Sequence, residues 1–153
     1  MEIFDRIYDR DAYIEGVIIN KKGDDYKVLW NNGVYGNVRE EYEEIKVVGH
    51  INFKKFYVVD ILHTGHHGKE MESKIGEKYD RRRNKILLLD MDSLRLNHTI
   101  VLNLFDEDEF EDKTDADCIS VDKVYTTAYE KMYNENNLIY LRTLNSIYVL
   151  DEL

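Results

Sequence analysis

The chain has 153 residues, of which 43% are hydrophobic and 34% are charged, and its formal net charge is −10 at pH 7. A hydrophobic share of this size is typical of a folded domain and excludes wholesale disorder, whereas the excess of carboxylates makes the whole chain a poor general binder of nucleic acid. The single cysteine excludes an intrachain disulfide and favours a reducing, cytoplasmic compartment, and no apolar run approaches the roughly 20 residues of a membrane span, so we expect no membrane contact.

Short apolar runs, separated by turn residues, follow one another through the first third of the chain. Strands are predicted at 14–19, 26–30, 34–38 and 45–48. Asn31-Asn32-Gly33 is a strong hairpin signal, because Asn and Gly tolerate positive φ. The polar stretch 40–44 is predicted to be a turn or a single helical turn. Such a series of short strands is typical of a small barrel, and we assign residues 1–50 to one.

Several short motifs of this region stand in a characteristic order. They are Gly16-Val17, Tyr26-Lys27-Val28-Leu29-Trp30, Asn32-Gly33, Gly36 and Ile45-Lys46-Val47-Val48. This order resembles the Tudor/KOW group of SH3-like barrels. The pattern of that group is a strand that starts with glycine, a V-x-W strand, a turn with glycine, and an acidic stretch before a final strand. The resemblance covers about the first third of the chain, and it implies a module that binds proteins, methylated side chains or RNA.

Three aromatic side chains of the same region are candidates for a binding pocket. An aromatic cage for a methylated cation needs several rings that face one pocket, and Trp30, Tyr26 and Tyr35 could supply them. The alternative is that these rings form the core of the barrel or cover it. The first hypothesis predicts a binding surface, whereas the second gives the rings only a structural role.

Residues 51–153 are predicted to form a second, small antiparallel β unit. The segment 56–62 fits a helix about as well as a strand, but its β-branched and aromatic residues favour a strand. Further strands are predicted at 85–91, 97–105 and 138–150, and a brief helical turn at 69–74. The segment 121–133 carries a helical apolar stripe, but the polar turn after it favours a hairpin and therefore a strand. The predicted class is mainly β with minor helix.

The acidic residues are concentrated in one block, which only Lys113 opposes. Its members are Asp106, Glu107, Asp108, Glu109, Glu111, Asp112, Asp115 and Asp117. A like-charge block of this density is usually a solvated loop. The alternative is that the carboxylates imitate a phosphate backbone and occupy a groove that normally binds nucleic acid. In that case the protein inhibits an enzyme that handles DNA or RNA, with residues 106–109 at the interface.

A short basic cluster indicates a different partner. It consists of Arg81, Arg82, Arg83 and Lys85. These side chains would contact phosphates while Tyr79 stacks on a base. A module that binds nucleic acid is therefore the first alternative function.

The densest group of possible metal ligands lies near the middle of the chain. His63, His66 and His67 could share a transition metal. The alternatives are a polar loop with exposed imidazoles, or an anion-binding loop in which Gly65 and Gly68 let backbone N–H groups converge. Neither an H-E-x-x-H helix nor a P-loop sequence is present. A metal-dependent enzyme is therefore the second alternative function.

The remaining signals favour a binding protein over an enzyme. Cys118 stands among carboxylates and is a poor nucleophile, and no serine lies in a G-x-S-x-G elbow. The sequence Thr143-Leu144-Asn145-Ser146-Ile147-Tyr148 is similar to a C-terminal T-x-N-S-x-Y strand of small uncharacterised phage proteins, which implies a phage-encoded product. We predict a non-enzymatic protein without a cofactor that inhibits a host protein through its acidic or aromatic surface, or binds a small ligand.

Overall fold

A computed structural model describes residues 1–63, 82–106 and 122–153. This part of the chain is mainly β, with eleven antiparallel strands and one 3₁₀ turn at Met91–Ser93, and the predicted class is confirmed. The described residues divide into two compact units. The first unit comprises residues 1–52, and the second comprises the described residues from Phe53 onward.

The first unit is a five-stranded antiparallel sheet, counted over the described residues, with the strand order β4-β3-β2-β1-β5. Its strands are β1 (Asp5–Asp9), β2 (Ile14–Lys22), β3 (Asp25–Trp30), β4 (Tyr35–Val38) and β5 (Ile45–His50). Four of them coincide with predicted strands, and the polar stretch before β5 is the expected turn. The strand β1 was not predicted, because its sequence Asp-Arg-Ile-Tyr-Asp carries a single aliphatic residue. That residue, Ile7, is fully buried, and β1 pairs with both β2 and β5.

One face of this sheet forms the core of the first unit. Its buried members are Ile7, Ile18, Tyr26, Val28 and Val38, against which Met1, Trp30 and Ile45 pack. Side chains alternate between the two faces of a strand, so Tyr26, Val28 and Trp30 of β3 share this face. The core therefore reaches the end of β3, where Trp30 is only partly buried.

The second unit is a closed six-stranded barrel within the described part of the chain, with the order β10-β11-β6-β7-β8-β9. Its strands are β6 (Phe53–His63), β7 (Lys85–Asp90), β8 (Thr99–Asp106), β9 (Asp122–Glu135), β10 (Leu138–Thr143) and β11 (Ser146–Glu152). The last strand closes the barrel, because β11 pairs with β10 on one side and with β6 on the other. Fully buried residues such as Phe56, Leu87 and Leu102 fill the interior.

Two sequence predictions for this unit have different outcomes. The described part of the segment 121–133, from Asp122 onward, is a strand, as the hairpin signal indicated, because β9 hydrogen-bonds to β8 and to β10. The prediction of one strand over 138–150 was wrong, since a turn at Leu144 and Asn145 divides it into β10 and β11. The Asn145 N–H donates to Thr127 Oγ1 at 3.1 Å, which fixes that turn on β9. The predicted helical turn at 69–74 lies outside the described residues.

Within 1–63, 82–106 and 122–153, we find no helix with the length and hydrophobicity that a membrane crossing requires.

Candidate functional site

A groove of about 430 Å³ lies at one end of the first unit. Three connections border it: the β1–β2 turn (10–13), the β3–β4 turn (31–34) and the β4–β5 loop (39–44). Its lining residues are Asp9, Ala12, Ile14, Trp30, Asn32, Asn37, Val38, Tyr42, Glu44 and Ile45. We call this the Trp30 groove.

Hydrogen bonds tie the bordering connections to their neighbours. The Arg10 N–H donates to the Glu44 carbonyl at 2.9 Å, and the Arg10 guanidinium donates to the Glu43 carbonyl, which joins the β1–β2 turn to the β4–β5 loop. The Asn31 N–H donates to the Glu15 carbonyl at 2.9 Å and joins the β3–β4 turn to β2. These bonds connect the backbone segments that border the groove, and such connections reduce the ordering that a ligand would have to impose.

Two glycines let the indole of Trp30 lie flat against the sheet. A Cβ atom added at Gly16 would stand 2.6 Å from Trp30 Cε3, and one added at Gly36 would stand 2.7 Å from Trp30 Nε1. Any side chain at either position would therefore displace the ring. Trp30 packs against the core, as the structural hypothesis expects, and it also lines the groove, whereas a role in binding stays a prediction.

The groove combines aromatic rings with carboxylates. Trp30 and Tyr42 supply the rings, and Asp9 and Glu44 supply the carboxylates. The Asp9 side chain also accepts hydrogen bonds through Oδ1 from the N–H groups of the turn after it, at 2.9 and 3.0 Å. Among the described residues that line the groove, none is basic. This arrangement attracts a cation and repels an anion.

The structure does not bring the three predicted aromatic residues together in one pocket. Tyr26 shares the core face with Trp30, but it is 4% exposed, and its hydroxyl donates to Glu40 at 3.1 Å. Tyr35 pairs with Leu29 and therefore lies on the opposite face from Trp30. Tyr35 is buried there, and burial raises the pKa of its hydroxyl.

The sequence did not single out Tyr42 as a groove residue, nor the carboxylates of Asp9 and Glu44. Tyr42 lies in the polar stretch that was correctly predicted to be a turn, and it is 39% exposed. A single aromatic residue among four glutamates is the signal that could have identified it. Such a stretch has no periodicity, so nothing local indicates that it folds toward Trp30.

The predicted acidic surface is described only at its first residue. Asp106 ends β8, and its carboxylate contacts the Lys85 ammonium group. Glu107, Asp108 and Glu109 lie outside the described residues. Imitation of a phosphate backbone therefore stays a prediction.

The described members of the basic cluster each have a partner within the chain. An Arg82 guanidinium N–H donates to the Tyr148 hydroxyl at 2.9 Å, Arg83 Nε lies 3.0 Å from Asp60, and Lys85 contacts Asp106. Two of these three cations thus lie beside a carboxylate, which offsets the charge that they present to a phosphate. Arg81 and Tyr79 lie outside the described part of the chain.

The predicted metal ligands are not described as a group. His63 ends β6, but its side chain and the residues His66 and His67 lie outside the described set. Within the described residues, no three His, Cys, Asp or Glu side chains are placed to hold a metal ion. The metal hypothesis for the histidine loop stays a prediction.

Comparison with known proteins assigns neither a family nor a function to the chain. No family model matches the chain, and no curated protein or solved structure is significantly similar to it. The geometry and charge of the Trp30 groove therefore carry the functional argument.

Proposed function

We propose that this protein is a non-enzymatic binding module whose Trp30 groove holds a cationic group of a partner protein. The observation that carries the proposal is the composition of the groove, in which two aromatic rings and two carboxylates meet without a basic side chain among the described lining residues. The short antiparallel strands of residues 5–50 also support the resemblance to an SH3-like barrel.

The chemistry favours an alkylated ammonium group. A cation over an aromatic face gains about 0.5–2 kcal/mol, depending on how far it is desolvated. Methyl groups on the nitrogen reduce its hydration and fill apolar space beside Trp30, while Asp9 and Glu44 supply the opposite charge. The inhibitory role and the phage origin stay predictions that no described residue addresses.

Choline and its uncharged isostere 3,3-dimethylbutan-1-ol test the proposal directly. Trp30 is the only tryptophan in the sequence, so its fluorescence reports on the groove. We expect a saturable fluorescence change with choline and none with the isostere over the same concentration range, because the two differ only in the charged nitrogen. Raising the salt concentration weakens the choline response, since ions screen the carboxylates.

Matched variants connect the signal to the groove. The double variant Asp9→Asn, Glu44→Gln keeps both side-chain shapes and is expected to weaken choline binding about five- to tenfold. Glu41→Gln is the control, because Glu41 lies in the same loop but does not line the groove. Equal responses to choline and its isostere, or an unchanged affinity in the double variant, would contradict the proposal.

A further inference from the structure

Each of the three connections around the Trp30 groove exposes one large hydrophobic side chain. Tyr13 is 82% exposed on the β1–β2 turn, Val34 is 55% exposed on the β3–β4 turn, and Tyr42 is 39% exposed on the β4–β5 loop. We call these three side chains the rim. Single exposed apolar residues are ordinary on a protein surface, whereas a group of them around a groove marks an interaction site.

Tyr13 is displayed in an unfavourable backbone conformation. Its φ is +56°, in the left-handed region that bulky side chains rarely adopt, and Asn or Gly would occupy this position with less strain. The turn holds the conformation, because the Tyr13 N–H donates to the Asp9 carbonyl at 2.9 Å. Strained residues cluster at binding sites, and the strained turn here follows directly on Asp9, a residue of the groove.

The charge around the groove selects among macromolecular partners. The segments 10–13 and 39–44 together carry two basic and five acidic side chains. Both basic side chains have acceptors within the chain: Arg10 donates to the Glu43 carbonyl, and Arg39 donates to Asp25 at 2.7 Å. A phosphate backbone is repelled by this surface, whereas a basic polypeptide segment is attracted to it.

We infer that the ligand is a polypeptide segment in which a cationic residue is flanked by apolar side chains. This inference rests on the proposed function: the cation enters the Trp30 groove, and the flanking side chains pack against the rim. Tyrosine supplies a large and rigid contact area, which makes Tyr13 and Tyr42 the expected anchors for the flanks. A free small cation would use the groove alone and leave Tyr13 and Val34 exposed.

Two capped pentapeptides with a central trimethyllysine test the inference. Leucine residues flank the trimethyllysine in one peptide, and glycine residues flank it in the other. We expect the leucine-flanked peptide to bind about tenfold more tightly, measured by Trp30 fluorescence or calorimetry. Tyr13→Asn and Val34→Ser should each remove part of this difference. Val48→Ser is the matched control, because Val48 is 40% exposed on β5, away from the groove connections.

Tyr13→Asn should also raise the thermal midpoint by about 2–4 °C, since Asn relieves the strained φ.

The possible failures are distinguishable. Equal affinities for the two peptides would overturn this inference and leave the groove proposal intact. No binding of either peptide would overturn both. A leucine-flanked peptide with glutamine in the centre that binds equally well would overturn the requirement for a cation, and with it the proposed function. Sedimentation experiments test whether the protein associates with itself. If it does, and if Tyr13→Asn abolishes this association, the rim binds a second copy of the chain and the inference is overturned.

Discussion

The pairing of β4 in the sheet buries the side chain of Tyr35, although this side chain carries a polar hydroxyl. Tyr35 is 6% exposed, and its hydroxyl has no hydrogen-bond partner among the residues that the structure describes. A buried hydroxyl without a partner destabilises the folded state. Burial also raises the pKa of this hydroxyl, because the ionised form is poorly solvated there.

We therefore expect Tyr35→Phe to be neutral or stabilising at pH 7, by at most about 1 kcal/mol. The raised pKa keeps the folded protein protonated where the unfolded chain ionises, so wild-type stability falls as the pH rises above about 10. The variant should lose less stability over that range. Urea unfolding at pH 7 and pH 10.5 measures both effects.

Tyr13→Phe provides the control, because Tyr13 is largely exposed. It should retain the alkaline loss of the wild type. A Tyr35→Phe variant that is strongly destabilised at pH 7 would indicate that the hydroxyl has a partner.

Among the elements, the β9–β10 hairpin has the most specific local requirement. Two residues, Asn136 and Asn137, connect its strands, and their φ values are +52° and +63°. Positive φ at both central positions is typical of a type I′ turn, whose twist matches that of the strands. Asn tolerates this region better than other residues with a Cβ atom, and Gly tolerates it best.

Asn137→Gly should therefore stabilise the protein by about 0.5–1 kcal/mol, and Asn137→Ala should destabilise it by about 1 kcal/mol. Denaturant midpoints followed by circular dichroism measure the two changes. Asn134→Ala, at an exposed position with ordinary φ, should stay within about 0.5 kcal/mol of the wild type. Equal effects of glycine and alanine at position 137 would contradict the assigned turn.

Secondary-structure elements were predicted correctly where nearby residues determine the conformation. The predictions failed where hydrogen bonding to a distant strand determines it. The turns at 31–33 and 136–137 were predicted because Asn and Gly have a conformational preference of their own, although the second prediction began two residues early, at Asn134. In contrast, β1 is a strand because two neighbours pair with it, although its polar sequence does not favour one. The division of 138–150 into two strands likewise depends on contacts with β9, which lies earlier in the chain.

At the scale of the whole molecule, the second unit is a closed barrel, and the contribution of this closure to stability can be tested by a single substitution. β6 and β11 are far apart in sequence, yet they pair along their length and close the barrel. Leu150 lies at this junction, because it pairs with Val58 on one side and with Ile139 on the other, and it is fully buried. Loss of packing there affects both ladders of the closing strand.

Leu150→Ala is expected to destabilise the protein by about 2–5 kcal/mol, since it leaves a cavity in a closed interior. Leu153→Ala, at a position that is 59% exposed, should change the free energy of unfolding by less than about 0.5 kcal/mol. Urea unfolding followed by far-ultraviolet circular dichroism compares the two. A similar cost for both substitutions would contradict the closure described here.

The mainly β class, most of the strands, the hairpin turns and the candidacy of Trp30 could be predicted without coordinates, because alternation and turn chemistry are local properties of the chain. Three features required the folded structure: the pairing that closes the second unit, the placement of Tyr35 on the face opposite Trp30, and the presence of Tyr42, Asp9 and Glu44 in the lining of one groove. These features depend on which distant segments hydrogen-bond in which register, and no single segment carries that information.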